Sequence, residues 1–285
     1  MFKLVVGVVV SLKKEIQLTA RGVGSGRENP HRVQYVFLRT PEDLKRTHSD
    51  IILSKITSKM EPELVSELTS GNYRHVVDPS LQKLFGDRIL IQERIKGICK
   101  VPDYLIIDDQ TDQEAIELFI QKRGRVILKH RQAFGHETAH SMCVGDSLSE
   151  VWNFMGGSEI LLMQQFIEHS GVLLKVFVIA DHVSVNVRNS LRSDFSGTFN
   201  SQYFFDSSVP SVSIPENLIE QAGNVARKIA LELKVPLLGV DIVIDHTTSD
   251  LVVVDLNYFP SYAELGSSFV SHLEELCLSE SSPTL

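Results

Sequence analysis

A chain of 285 residues can form one large domain or two to three smaller ones around adequate cores, and its 43% hydrophobic and 22% charged residues exclude wholesale disorder. With 28 basic against 36 acidic residues the net charge is −8, which speaks against a dedicated nucleic-acid or membrane binder. No run approaches the roughly 18 apolar residues of a spanning helix, and Cys99, Cys143 and Cys277 lack any metal-type spacing. They read as reduced thiols in a cytoplasmic protein, expected to be a monomer.

The opening apolar run, residues 4–10, is followed by Lys13 and Lys14 and not by a small-residue cleavage site, so it reads as a buried first strand. Strands follow at 33–38 and 50–53 and a helix at 61–69, giving a small, mostly parallel α/β unit over residues 1–78. Asp78-Pro79 starts a helix that runs through Leu84, Arg88 and Ile95. A second unit, 79–170, carries helices at 112–123 and 147–154 and strands at 125–129 and 160–166. A third, 171–285, opens with a hairpin, 172–179 and 183–188, turning at Asp181-His182. The stripe Leu218, Ala222, Val225, Ile229 and Leu233 marks an amphipathic helix over 216–234. A second hairpin, 238–245 and 251–256, and a closing helix, 267–278, complete the chain. The fold class is therefore α/β followed by α+β, with mixed and antiparallel sheets.

Chemistry concentrates at three places. A hairpin loop of 246–250 pairs Asp245 with Leu251 and, in the same register, Asp241 with Asp255, with Asn257 on the same face. Facing carboxylates repel unless a cation lies between them, and oxygen ligands suit Mg²⁺; two solvated acids are the plain alternative. Lys129 ends an apolar strand before the polar loop to His140, a placement that suits a phosphate chain or an ordinary surface lysine. Neither GxGxxG nor GxxxxGK[ST] is present there. Gln164, Phe166 and Ile167 end another strand, where an amide among apolar residues could receive a purine. A turn at 181–182 sets Lys175 opposite Arg188, a pair that invites an anion or snorkels to water. Cys143 near His140 lacks a third orienting group, so a thiol nucleophile is not expected.

Several of these segments occur in an order that resembles the inositol-tetrakisphosphate 1-kinase (inositol 1,3,4-trisphosphate 5/6-kinase) family of the ATP-grasp superfamily. The similarity runs from about Leu4 to Leu276. Its most specific parts are Gln164-Gln-Phe-Ile-Glu-His169 with Lys175-Val-Phe177, and Gly239-Val-Asp241 with Val254-Asp-Leu-Asn-Tyr-Phe-Pro260. Weaker matches are Asp87-Arg88, the segment from Lys129 to Gly135, and the segments around Lys14 and Lys55. The resemblance implies an N-terminal α/β domain and two sheets that clasp ATP. It implies that Asp241, Asp255 and Asn257 hold Mg²⁺, and that Arg88, Lys129 and Lys175 meet ATP phosphates. The Gln164, Gln165, Phe166 and Ile167 segment would meet adenine, with Ser190 near the nucleotide. Lys14, Lys55, His140, Lys175, Arg188 and Asn257 would face an inositol polyphosphate, with Ser261 beside them.

The chain departs from the family pattern at Phe134-Gly135, where His-Gly is usual, in a longer loop before His140, in a short 192–215 segment, and at Ser261 in place of glycine. The expected activity is Mg²⁺-assisted phosphorylation of an inositol polyphosphate hydroxyl, with Lys129 and Lys175 as the catalytic cations and no general base assigned. The rivals are an ATP-grasp carboxylate–amine ligase and a non-catalytic inositol phosphate-binding module.

Overall fold

The computed structural model describes residues 3–24, 32–134, 137–155, 160–201, 212–266 and 268–281. The chain begins β1 (Leu4–Val9), α1 (Leu12–Ala20), β2 (Val33–Phe37), α2 (Pro41–Arg46), β3 (Ile51–Ser54) and α3 (Pro62–Ser70). The strands form a parallel sheet in the order β2-β1-β3, as parallel pairs with crossovers require. Helix α1 was not anticipated from the sequence. Ser11 caps it by accepting from the Lys14 amide, while Leu12 and Ile16 stay exposed, which hides its amphipathic pattern. A capping box of Thr40 and Asp43 starts α2.

The helix expected from Asp78 through Ile95 is two helices, α4 (Pro79–Leu84) and α5 (Arg88–Ile95). The break is physical: Asp87 turns its carboxylate onto the Ile89 and Leu90 amides and caps a new helix. That restart sets Arg88 at the first turn of α5, facing the next sheet.

Next come β4 (Tyr104–Ile107), α6 (Gln113–Arg123), β5 (Val126–His130), β6 (Ser141–Gly145), α7 (Leu148–Met155), β7 (Leu161–Gln165), β8 (Val172–Ile179), β9 (His182–Asn189) and β10 (Gly197–Asn200). Strands β10-β6-β5-β7-β4 form an antiparallel sheet. Its strands β4, β6 and β10 escaped the sequence reading. Strand β10 comes from beyond residue 170, so the chain past that point returns to the central sheet.

After α8 (Glu216–Leu233), β11 (Leu237–Ile244), β12 (Leu251–Tyr258) and α9 (Ser268–Ser281) close the chain. The last sheet is antiparallel, β12-β11-β8-β9, with α8 laid on β8 and β9. Its buried stripe, Ala222, Ala226, Ile229 and Leu233, faces that sheet.

Two registers decide the site. Asp241 faces Asp255 as expected, but a bulge follows and Ile244, not Asp245, pairs with Leu251. Val254 is the extra residue, and its carbonyl is released from the ladder. In the β8–β9 hairpin the turn is Ala180-Asp181, with Ala180 at φ 50°, one position earlier than expected. Lys175 therefore faces Asn186 and Arg188 faces Leu173, which corrects the predicted Lys175–Arg188 pair. The two cations remain diagonal neighbours on one face.

One apolar cluster joins the first and last sheets, with Val6, Val8 and Leu53 packed in the same core as Phe177, Val240, Tyr262 and Phe269. The central sheet has a separate core around Ile116, Leu128 and Met163. Between these two bodies lies the cleft. Among the described residues no helix is long and apolar enough to cross a membrane.

Candidate active site

A cavity of about 300 Å³ lies between the central sheet and the β8–β11–β12 face. Ile127, Met142, Phe166, Leu173 and Val243 line its apolar part, and Arg88, Lys129, Lys175, Arg188, Asp241, Asp255 and Asn257 its polar part. Gln164, Gln165, Ile167, Ser190 and His140 also line it. Thirteen of the sixteen predicted residues thus meet at one cavity; Lys14, Lys55 and Ser261 do not line it.

Gln164 is buried on the β7 wall. Its Nε2 donates to Gln92 Oε1 at 3.1 Å, while its own Oε1 has no hydrogen-bond partner. A buried acceptor without a donor is costly, roughly 1–3 kcal/mol. Beside apolar side chains it matches the exocyclic amine of a purine. Ser190 is fixed from behind: His169 Nδ1 donates to the Ile167 carbonyl at 2.6 Å, leaving Nε2 to accept the Ser190 hydroxyl at 2.9 Å. Burial lowers the His169 pKa and favours that neutral ring. His169 lies beside the Gln164 segment, but the sequence offered no sign that it would orient Ser190.

At the acidic end, the Lys175 ammonium sits 2.5 Å from Asp241 Oδ1, and Asn257 donates to Asp255 Oδ2 at 3.3 Å. Burial pushes the Asp241 pKa up, with Lys175 opposing and Asp255 adding to the rise. Two carboxylates and an amide oxygen on adjacent strand positions are the donor set of a hard cation. The buried Asp241 Oδ1 already takes a positive group, the Lys175 ammonium, beside Asp255, and this oxygen-only, cation-seeking set fits Mg²⁺.

Lys129 is buried, and its Nζ donates to the Val254 carbonyl freed by the bulge, at 2.8 Å. Burial lowers its pKa to about 8 against the opposing pull of Asp255; Arg88 adds to the lowering. Arg88 spends its guanidinium on the loop after β5, donating to the carbonyls of His130 (2.8 Å), Gln132 (3.0 Å) and Ala139 (3.1 Å). Its buried Nε–H is without a partner and is left to donate to an anion. Arg188 is ion-paired with Glu264, a partner the sequence reading missed.

Three basic side chains, Lys14 on α1, Arg21 at its end and Lys55 just past β3, grip a turn after β12 instead of lining the cavity. Lys55 donates to the Phe259 carbonyl at 3.0 Å, Lys14 to Pro260 at 2.5 Å, and Arg21 to Tyr262. The Lys14 ammonium also lies 4.1 Å over the Phe259 ring. Positive φ falls on Phe259 (43°) and Tyr262 (53°), and not on Ser261, which is exposed. The backbone freedom expected of a glycine at Ser261 is thus not called on there. Burial lowers Lys14 to about 6, with Lys55 and Arg21 adding, and lowers Lys55 to about 8, with Lys175 adding.

A stability test follows from Lys14. Below about pH 6 the folded chain must bury the ammonium; between 6 and 10.5 the unfolded chain keeps a proton that the folded chain has released, so stability rises with pH. Lys14→Met removes this penalty. Its stability relative to wild type is expected to be greatest at pH 5–6 and to decline steadily towards pH 9, read by urea unfolding. A pH-independent difference would show that Lys14 is not titrating in this way.

Among the described residues, three separate sheets with a cavity between the two antiparallel ones have the architecture of an ATP-grasp protein. The fold is similar to that of a RiPP-associated ATP-grasp ligase from Chryseobacterium gregarium (TM-score 0.69, 11% identity, all of both chains covered). It is also similar to D-alanine–D-alanine ligase from Bacillus anthracis complexed with ATP (TM-score 0.65, 13% identity, 99% of this chain and 97% of that one). Residues 94–278 match the inositol 1,3,4-trisphosphate 5/6-kinase ATP-grasp domain, and the chain belongs to that family. Inositol-tetrakisphosphate 1-kinase of Danio rerio is 31% identical over 201 residues, covering 63% of this chain and 49% of that protein. Inositol-tetrakisphosphate 1-kinase 6 of Oryza sativa subsp. indica is 27% identical over 210 residues, 63% of this chain and 38% of that protein. The Xenopus laevis inositol-tetrakisphosphate 1-kinase is 26% identical over 267 residues, 86% of this chain and 65% of that protein. The match thus spans about two fifths to two thirds of the length of these relatives.

Proposed function

We propose that this protein transfers the γ-phosphoryl group of ATP to a hydroxyl of an inositol polyphosphate, with Mg²⁺. The observation that carries the reading is one cavity holding an oxygen-only acidic pair beside a band of cations, Lys129, Lys175 and Arg188. Bound Mg²⁺-ATP would supply the electrophilic phosphorus and neutralise charge between its phosphates. The residues of the chain do the positioning. Gln164 and the apolar wall hold the purine, and Asp241, Asp255 and Asn257 hold the metal. Lys175, now on Asp241, would be the ammonium available to the transferring group with Mg²⁺ held by the carboxylates. Lys129 and the remaining Arg88 donor hold the phosphate chain in line, which is most of what phosphoryl transfer needs. Arg188 and His140 face the acceptor from the cavity, while Lys55 and Lys14 would reach it on leaving the Phe259 and Pro260 carbonyls, with the exposed Ser261 beside them. No side chain is assigned as general base.

We assign the three units to residues 1–78, 79–170 and 171–285, with β10 lent to the central sheet. The working form is a cytoplasmic monomer. Free Cys99, Cys143 and Cys277 support a reducing compartment.

An acceptor with several phosphates needs several cations, whereas a ligase substrate with one carboxylate needs one or two. Lys14→Ala with Lys55→Ala is therefore expected to raise the KM for an inositol trisphosphate about tenfold or more, with the KM for ATP changed less than about twofold. Steady-state kinetics on correctly folded protein reads this directly. A rise in the ATP constant alone would assign both lysines to the nucleotide and remove the support for a polyphosphate acceptor.

A further inference from the structure

Strand β9 and helix α9 bring together three side chains that phosphoryl transfer does not use. His182 is the first residue of β9, at the turn of the hairpin, while His272 and Glu275 lie one helical turn apart on α9. The imidazoles of His182 and His272 stack with ring centroids 3.7 Å apart and planes inclined by 29°. His182 Nε2 lies 2.7 Å from Glu275 Oε2, and His272 Nδ1 lies 4.0 Å from the same oxygen. One ligand atom from each residue lies within 4.8 Å of the other two.

A stack of two imidazoles against one carboxylate leaves a polar atom unserved. His272 Nδ1 is closed off from solvent and has no hydrogen-bond partner. Burial and the neighbouring His182 lower the His272 pKa, against the pull of Glu275, which favours the neutral ring that carries a lone pair.

We propose that His182, His272 and Glu275 form a binding site for a divalent transition-metal ion, Zn²⁺ by ligand class. Two imidazole nitrogens and one carboxylate oxygen are borderline donors that suit Zn²⁺ and poorly suit Mg²⁺ or Ca²⁺. Tetrahedral bonds of ~2.0–2.1 Å space ligand atoms by ~3.3 Å. The present separations from the Glu275 oxygen, 2.7 and 4.0 Å, bracket that spacing, and because each lone pair lies in its ring plane, binding turns the exposed His182 ring out of its stack on His272. Binding displaces the hydrogen between His182 Nε2 and Glu275. The proton leaves to solvent or the ring takes its other tautomer, and the freed Nε2 lone pair goes to the metal. The fourth position stays open to water. The charge of Arg32 reaches Glu275 and offsets part of the attraction. The ion staples the turn of the β8–β9 hairpin to α9, at the end of the hairpin remote from Ser190.

The test is calorimetric titration with Zn²⁺ in buffer containing excess Mg²⁺, which fills hard-donor sites, followed by thermal unfolding with and without Zn²⁺. Wild type, His182→Gln, His272→Gln and Cys99→Ser are compared. Wild type and Cys99→Ser are expected to bind one Zn²⁺ and to gain Tm with it. Each histidine variant should bind more than about tenfold more weakly and lose the Tm gain. Equal binding in wild type and the histidine variants would overturn the proposal, as would no binding in wild type or loss only in Cys99→Ser. Should His272→Gln fold poorly, His182→Gln at the exposed hairpin turn decides the matter alone.

Discussion

Asp255→Asn is expected to lower kcat by about 10²–10³-fold, the range seen when a preorganised charge on a developing transition state is removed. The volume and the strand pairing with Asp241 are kept, so the unfolding transition should lie within a few degrees of wild type. What is lost is one of the two carboxylates, and an amide oxygen carries no charge with which to hold Mg²⁺. The Asn257 amide now donates to Asp255 Oδ2 and would still find an oxygen there. A folded Asp255→Asn protein with near-normal turnover would remove Asp255 from the metal site.

Lys129→Met is expected to have the second large effect, again about 10²-fold or more on kcat/KM for ATP, because a buried ammonium aimed at the phosphate chain is replaced by a thioether of similar length. Its pH dependence is more diagnostic. In the free protein Lys129 titrates at about 8, so above that pH an ATP-free site carries a neutral amine. The charged form binds phosphate, hence kcat/KM for ATP should fall as pH rises through 8 in wild type. Lys129→Met should show a low profile with no break there. An unbroken wild-type profile up to pH 10 would mean that Lys129 does not meet the nucleotide.

Much of this site is legible in the sequence. Facing strands fix which side chains share a face, and Asp241 does face Asp255, although the anchor of that arithmetic, Asp245 opposite Leu251, fails: Ile244 faces Leu251, and the extra residue Val254 restores the pair. The same arithmetic failed for Lys175 and Arg188. It assumed a two-residue turn at 181–182, whereas Ala180 adopts a left-handed conformation that no side-chain pattern announces. Bulges are equally silent. The one at Val254 offsets the displaced turn, which alone would set Asp241 opposite Val254, and it exposes the carbonyl on which Lys129 rests. Asp87 shows the other limit, since a capping aspartate inside an apparently continuous helical pattern looks like any surface acid until the helix is seen to restart. The motif that placed Lys14 and Lys55 at the acceptor could not show them clasping the Phe259 and Pro260 carbonyls. An acceptor phosphate must compete with that grip. Partners such as Gln92, Glu264 and His169 carry no local signal at all, because their roles exist only across the tertiary contact.

The most direct test of the central claim is the fate of the γ-phosphate. The protein is incubated with Mg²⁺ and γ-labelled ATP, in one series with inositol tris- and tetrakisphosphates and in another with carboxylate–amine pairs, and the products are resolved by anion-exchange chromatography. Phosphoryl transfer predicts label in an inositol phosphate with one phosphate more than the acceptor supplied, matched mole for mole by ADP. Label recovered as inorganic phosphate only when a carboxylate and an amine are present, with every inositol phosphate left unchanged, would contradict it.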